Sequence, residues 1–544
     1  MFAAALLLLV PGLGRLGARE TTDARYLEAA REMWASGDWL VPRLAGLPHL
    51  DKPPLAYWSG AAGFAALGTT PFAGRILQQL AVAATAVLVY RFGRQRIGAR
   101  GAAAAAGVFL TSSLVFGASR ALATDLFQLL FLTAALCALY DGAVQRSAGA
   151  TAAGLACLGL SMWAKGPIAL FVALAVVLPF LALARLRLPA SGVALGAVLF
   201  LALGLPWYAL LVARDPSLAD YFVDRQLLSR ATADGEGHVH GLLYLPFRGV
   251  LMGFLPWTPL VALVVWRLRP RRPLSRDPLE LYLWLWTLAP LAFFELFPTK
   301  LPSYLLPCFP GAALLVGRAL ESARLDDRAG RIAIAASLGL AAVAAAMVAA
   351  LVGLAVFAPA RVERWLVPDE LGAPFAFLAA LAVATAGLAA LALRALRRGV
   401  PLAAACAALG AGYLVGYNAL AAPAPDHAAD ARIVRSVPGA RVVQYGLFRP
   451  GLLFYLDDGA EHAVALRREF TERGAEPGGA RLALRHEDVE AWMREDVPTF
   501  VLAKSSKADE VARDFDARMV RRTRHFALLA NPAAARALPP DAAR

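Results

Sequence analysis

The chain has 544 residues, of which 59% are hydrophobic and 17% charged, and its mean hydropathy is +0.56. Soluble domains are about a quarter charged, so this composition excludes an ordinary soluble protein and implies an integral membrane protein. A net charge of +14 does not argue for nucleic acid, because in a chain that crosses a bilayer repeatedly the placement of Lys and Arg matters more than their sum.

In chain order, apolar stretches suited to spanning helices fall near 2–14, 71–90, 101–118, 121–140, 147–164, 166–184, 190–212, 249–266, 279–296, 302–318, 331–358, 371–393 and 400–420, about thirteen in all. A span needs roughly 20 apolar residues. The first stretch is shorter, as expected of a clipped start, and it lacks the basic flank and small-residue cleavage site of a signal peptide. Residues 53–70 read as an interfacial helix leading into the second span. Arginine clusters at 91–100, 185–187, 267–276, 318–331 and 394–398 occupy alternate loops, the pattern of cytoplasmic loops. Segments 15–70, 213–248, 297–301 and everything after about 421 are therefore expected outside. Cys137, Cys157, Cys308 and Cys406 all lie in apolar runs, where sulfur serves as a small hydrophobe rather than in a disulfide or zinc site.

After Ala421 charged residues interleave with short apolar runs. Segments 440–446, 498–503 and 523–529 resemble strands, and 486–495 and 506–517 have helical spacing. The expected architecture is a polytopic α-helical domain at 1–420, with a first outer loop at 15–70, followed by a soluble external α/β domain at 421–544. His486, Glu487 and Asp488 read more simply as a solvated helix start than as metal ligands.

The chemistry concentrates on the outer face. In the first loop, Tyr26, Ala29, Ala30, Met33 and Trp34 recur at helical spacing with Asp23, Glu28, Arg31 and Glu32 between them, which predicts an amphipathic helix on the membrane surface. Thr22 is its expected N-cap, with Asp23 in the first turn, where the helix dipole favours an anion. Pro53 and Pro54 restrict Lys52 to extended backbone and fix a cation at the bilayer surface. Asp125 lies one turn inside a span, where carboxylates are costly and usually functional. Lys165 in MWAKGP and Lys300 in FPTKLPSYLLP map to the same face. An acid and several cations beside an aqueous opening suit a substrate with a phosphate and a lipid tail.

The run DARYLEAAREMWASGDWLVPRLAGLPHLDKPPLAYW, with Arg120, Asp125, the AKGP element, LPW at 255–257 and KLPSYLLPCFP at 300–310, resembles the 4-amino-4-deoxy-L-arabinose lipid A transferases, which belong with the protein O-mannosyltransferase-like C-type glycosyltransferases. The resemblance covers roughly residues 1–420. It implies transfer of a sugar, such as 4-amino-4-deoxy-L-arabinose, from a polyprenyl phosphate to lipid A or a related envelope acceptor, on the outer face of a bacterial cytoplasmic membrane with the C-terminal domain in the periplasm. The family's acid-acid-x-Arg-Tyr motif maps onto Thr22, Asp23, Arg25 and Tyr26, so the first acid is missing and Asp23 is the nearest carboxylate, with Glu20 as a substitute. Lys52 matches the family's phosphate-contacting lysine, His49 stands where the family has an aromatic residue, Asp125 matches the second acid, and Tyr304 the tyrosine after Lys-Leu-Pro.

Displacement of a polyprenyl phosphate from an anomeric carbon builds charge on the leaving phosphate, which fixed cations stabilise. Arg25 and Lys52 are suited to this, with Lys165 and Lys300 in reserve, and Asp23 or Asp125 would accept the proton of a hydroxyl acceptor. One displacement inverts the anomeric carbon. No cofactor is required; the resemblance also brings Asp51 together with His238 and His240 as candidate ligands of a structural divalent ion. Two alternatives are a protein O-glycosyltransferase of the same fold and a lipid or glycan transporter, the latter expected to show inverted repeats and charges at mid-span.

Overall fold

The computed structural model describes residues 1–15, 17–18, 22–223, 241, 243–268, 277–322, 327–357, 374–420, 426–456, 461–465, 483–523 and 525–539. The chain divides into two compact units, one of Met1–Leu13, Asp51–Ala56 and Arg75–Ala421, the other of Gly14–Leu50, Tyr57–Gly74 and Ala422–Arg544. Most of the first outer loop thus belongs to the same unit as the C-terminal region.

The first unit is helical, and every apolar stretch of the sequence carries a helix. Pro71–Arg96, Asp125–Val144, Arg328–Leu354 and Leu378–Arg398 are long and apolar enough to cross a membrane, and Ala190–Gly204 with Pro206–Arg214 adds a fifth if the pair, bent by 47°, is one span. Pro206 lacks the N–H that would continue the first half's hydrogen-bond ladder, which accounts for the break. Three further stretches expected to be continuous are interrupted. Residues 101–118 split into Ala99–Thr111 and Ser113–Ala118 at Ser112, whose backbone is extended. There the Ser113 and Leu114 amides donate to the Leu255 and Gly253 carbonyls at 2.8 and 3.0 Å. Residues 249–266 become a wide π-type turn at Leu245–Leu251 and a helix at Thr258–Leu268. Residues 302–318 begin with a 3-10 turn at Pro302–Leu305 before the helix Cys308–Glu321.

Apolar side chains face outward along these helices, Val383 being 73% and Met347 62% exposed, as a surface meant for lipid requires. Two buried arginines inside the unit find internal acceptors. Arg75, fully buried, donates to the Leu13 carbonyl at 2.9 Å. Arg120 donates to the Leu9 carbonyl and to Ser119 Oγ, and lies over the Phe116 ring. The two arginines thus serve carbonyls at and just beyond the C-terminus of the first helix, Phe2–Leu9, where the helical ladder runs out.

The second unit is built on a six-stranded sheet of β3 (Arg441–Tyr445), β4 (Glu461–Ala465), β5 (Ala483–Leu484), β6 (Thr499–Lys504), β7 (Arg518–Arg522) and β8 (Phe526–Ala530), in the order β5-β4-β3-β6-β8-β7. The first four pair in parallel, and β8 pairs antiparallel with both β6 and β7. Successive residues alternate faces: Val442, Phe500, Leu502 and Leu528 pack on one side, Val443, Val501, Ala503 and Leu529 on the other. Both faces are covered, so β6 reads as an unbroken apolar run, Phe-Val-Leu-Ala.

In the same unit the hairpin of β1 (Arg43–Leu44) and β2 (Leu47–Pro48) contributes Leu44, Ala45 and Leu47 to the first of these cores. The first-loop helix runs from Thr22 to Ser36, so Thr22 is its first helical residue rather than its cap. Its charges do not form an outward face. Glu28 and Arg31 are 0% and 5% exposed and form a two-point ion pair at 2.9 and 3.0 Å, while Trp34 is 43% exposed. The helix has protein on both flanks, so its polar stripe had to be paired instead of solvated.

Candidate functional site

In the first unit, helix termini present the charged groups. Asp125 opens Asp125–Val144 and Lys165 closes Ala148–Lys165, each at the end its charge favours. Lys165 Nζ lies 2.8 Å from Asp125 Oδ1 and 4.6 Å from the centre of the Tyr304 ring. Both pair members keep some exposure, 14% and 18% of their side chains. Gly166, at φ +72°, ends the lysine's helix. A Cβ there would stand 3.5 Å from the Tyr208 hydroxyl, which donates to the Met162 carbonyl at 3.1 Å.

The segment before Asp125 is pinned from below. Gln78, fully buried, donates to the Ala121 carbonyl at 2.7 Å and accepts from the Ala123 amide at 2.8 Å, and Gln79 donates to the Ser119 carbonyl at 2.7 Å. Sequence reasoning passed over these amides; two adjacent glutamines inside an apolar helix were the available signal.

Lys52 is half-buried and donates to the Asp51 carbonyl at 3.0 Å. The Asp51 carboxylate accepts from the Tyr221 hydroxyl at 3.0 Å. His238 and His240 lie outside the described residues, as does Glu20. Among the described residues no group of three His, Cys, Asp or Glu comes together, and Asp51 by itself is not a metal donor set. Lys300 is placed differently from the reserve phosphate ligand expected of it. It is 2% exposed, pairs with Glu295 Oε1 at 3.2 Å and donates to the Gly241 carbonyl at 3.3 Å. Glu295 Oε1 also accepts from the Leu243 amide at 2.5 Å, so this ion pair fastens the chain around residue 241. A loop-anchoring contact of this kind leaves no mark in sequence spacing.

In the second unit, Asp23 is 2% exposed in the first turn of its helix. Arg25 is half-buried, and its Nε has no hydrogen-bond partner among the described residues. The Tyr26 ring stacks on Tyr57 at 5.2 Å, and His49 meets the other ring edge-on at 6.2 Å. His49 thus occupies an aromatic contact position. His486 accepts or donates at Tyr445 Oη across 2.6 Å, and Asp488 Oδ2 accepts from the Arg485 amide at 2.7 Å, as a helix start does.

The sequence profile of the dolichyl-phosphate-mannose-protein mannosyltransferases matches residues 51–209. The undecaprenyl phosphate-alpha-4-amino-4-deoxy-L-arabinose arabinosyl transferase of Edwardsiella ictaluri is 33% identical over 318 residues, 57% of this chain and 56% of that protein. The transferase of the same name from Erwinia tasmaniensis is 33% identical over 352 residues, 62% of this chain and 61% of the relative. The match thus spans little more than half the length of these relatives. The crystal structure of ArnT from Cupriavidus metallidurans bound to undecaprenyl phosphate superposes with a TM-score of 0.78 at 22% identity, covering 99% of this chain and 98% of that one. The chain thus shares the overall fold of the ArnT structure, and residues 51–209 carry the sequence pattern of the mannosyltransferase profile.

Proposed function

We propose that the protein transfers a sugar, 4-amino-4-deoxy-L-arabinose in the first instance, from undecaprenyl phosphate to lipid A or a related envelope lipid. The observation that carries this reading is the Asp125–Lys165 pair beside Tyr304, a fixed anion and cation at the ends of two apolar helices in a chain similar to undecaprenyl phosphate-alpha-4-amino-4-deoxy-L-arabinose arabinosyl transferases. An apolar cavity of about 550 Å³ in the same unit, lined by residues such as Phe116, Pro256, Leu340, Met347 and Tyr413, has the chemistry to take a hydrocarbon tail.

In the proposed reaction an acceptor oxygen attacks the anomeric carbon, the bond to the donor phosphate oxygen breaks with its electron pair, and the configuration inverts. Lys52 and Lys165 offset the charge appearing on the leaving phosphate, and Tyr304 holds the Lys165 ammonium against its ring face. With Oδ1 engaged by Lys165, Asp125 Oδ2 accepts the proton of a hydroxyl acceptor, or orients an acceptor that is already ionised. In the second unit Asp23, Arg25 and Tyr26 offer a further acid and phosphate contacts. Asp51 with His238 and His240 remains the set proposed for a structural divalent ion. Thirteen crossings, an N-terminus in the cytoplasm and a periplasmic C-terminal unit complete the proposed arrangement in the inner membrane.

The test is reconstitution of purified protein with undecaprenyl-phosphate-linked aminoarabinose and lipid A, followed by mass spectrometry of the lipid. A pentosamine mass increment is expected, and its absence with a competent donor overturns the reading of the acceptor. The match to mannosyltransferases over residues 51–209 favours a second reading, a protein Ser or Thr acceptor, which the same assay separates by placing the sugar on added polypeptide.

A further inference from the structure

Two membrane-length helices of the first unit end in arginines that no described acid answers. Arg328–Leu354 opens on Arg328 and carries Arg331 one turn later, and Leu378–Arg398 closes on Arg394, Arg397 and Arg398. Val352 packs against Leu381 at one end of the pair. At the other end a Cβ on Gly399 would stand 3.8 Å from Arg331 Cδ. The two helices are therefore antiparallel, and the five arginines gather at one end from both.

Acids at the neighbouring helix ends are already engaged. Asp277 and Glu280 pair with Arg318, Asp327 pairs with Arg267, and Glu321 accepts from the Gly101 amide at 2.6 Å. Asp327 also accepts from the Gly330 amide on its other oxygen at 2.9 Å, which caps Arg328–Leu354. With Arg267 and Arg318 added to the five, seven arginines stand against these four carboxylates, a surplus of three positive charges with every partner counted. Among the described residues none of the five has an ion-pair or hydrogen-bond partner for its side chain, and Arg331 Nε is buried without one. A buried donor with no acceptor is costly, so an oxygen ligand at Arg331 would relieve it. The surface beside these charges is apolar: Ile332 is 48%, Leu393 56% and Leu396 47% exposed, each adjoining one of the arginines in sequence.

We propose that this end of the helix pair binds an anionic phospholipid. Arg331 meets its phosphodiester from within the pair, Arg394, Arg397 and Arg398 meet it from outside, and an acyl chain follows Ile332, Leu393 and Leu396. Forked guanidinium donors match phosphate oxygens two at a time. The occupant is a lipid rather than a soluble anion because the arginines stand where helices of spanning length leave the hydrocarbon, the depth at which a bilayer presents its phosphates. The site differs from the general placement of arginine in cytoplasmic loops, since it draws on two helices and includes the buried Arg331 Nε. Arg185 and Arg187, exposed on one segment after Ile168–Ala184, have neither feature. None of these residues has been given a part in the transfer, so the inference stands apart from that reading.

For the test, the full chain purified in neutral detergent is mixed with equal amounts of phosphatidylglycerol and phosphatidylcholine, and retained lipid is read by native mass spectrometry. Preferential retention of phosphatidylglycerol is expected. It should fall about tenfold or more in Arg331→Gln, and in Arg397→Gln combined with Arg398→Gln, through loss of charge-assisted contacts. Arg185→Gln combined with Arg187→Gln should retain the lipid as the parent does. A parent-like thermal midpoint checks each variant's fold, and the exposed 397/398 pair carries the test should Arg331→Gln fail to fold. Adding the deacylated headgroup, glycerophosphoglycerol, at the lipid's concentration should leave the lipid bound; displacement would mean a site for a soluble anion and overturn the assignment to lipid. Equal retention of the two lipids, parent-like retention in a folded variant of the site, or an equal fall in the 185/187 control likewise overturns the proposal.

Discussion

Lys165 and Lys300 carry the same ammonium at the mouths of apolar helices, yet their partners give them different work. Lys165 faces Asp125 with both groups still touched by solvent, whereas Lys300 is closed in by Glu295 and the Gly241 carbonyl. On the proposed reaction, Asp125→Asn should slow single-turnover transfer to a hydroxyl by roughly 10²- to 10⁴-fold, and Lys165→Arg should retain more turnover than Lys165→Ala because a cation remains. Parent rates in Asp125→Asn and Lys165→Ala would remove the pair from the mechanism. Glu32 gives a prediction at the same scale. Its carboxyl titrates near 4.5 when unfolded and is pushed up to about 8 in the fold by burial, so its contribution to stability is full below pH 4.5 and is lost as pH rises toward 8. The unfolding midpoint followed by tryptophan fluorescence should therefore fall more steeply across this window in the parent than in Glu32→Gln, which has no proton to lose; equal slopes would count against it.

Helices approach one another where side chains allow it. A Cβ on Gly317 would lie 2.2 Å from the Gly101 carbonyl oxygen, and one on Gly101 2.5 Å from that of Gly317. The helices Ala99–Thr111 and Cys308–Glu321 therefore meet backbone to backbone, as small residues permit inside a membrane. Gly317→Ala should force these helices apart, lowering the yield of folded protein and its thermal midpoint, while Gly387→Ala, which meets nothing within 4 Å, should leave both unchanged. Size-exclusion profile and midpoint in detergent give the readout, and a parent-like Gly317→Ala would refute the close contact. The first-loop helix shows how an element's surroundings override its pattern. Its spacing called for a polar face in water, but tertiary contacts bury the Glu28–Arg31 pair.

Over the whole molecule the arginine distribution proposes a sidedness that labelling can examine. Single cysteines introduced at Arg146 and Arg187 should react with an impermeant maleimide only after permeabilisation, and one at Lys507 should react in intact spheroplasts. The reverse pattern would invert the proposed topology and detach Asp125 and Lys165 from the outer face.

Hydropathy and the rule of arginines made the apolar helices readable from sequence, because burial in lipid depends on composition along the chain and little else. The strands β3, β6 and β8 were readable as well, β6 and β8 from the continuous apolar runs that mark a sheet covered on both faces and β3 from its paired valines. Asp125, Lys165 and Tyr304 were each marked as costly or distinctive residues. Their partnership was not, because residues 125, 165 and 304 are joined only by the way separate helices end beside one another. The same holds for the breaks at Ser112 and before Thr258, for the glutamines that pin Ala121 and Ala123, and for the arginines that two antiparallel helices gather around Arg331. Sequence by itself determined which segments leave water, because transfer to lipid is a property of local composition; only the tertiary structure decided which charges meet, because a pairing energy depends on distances that no spacing along the chain specifies.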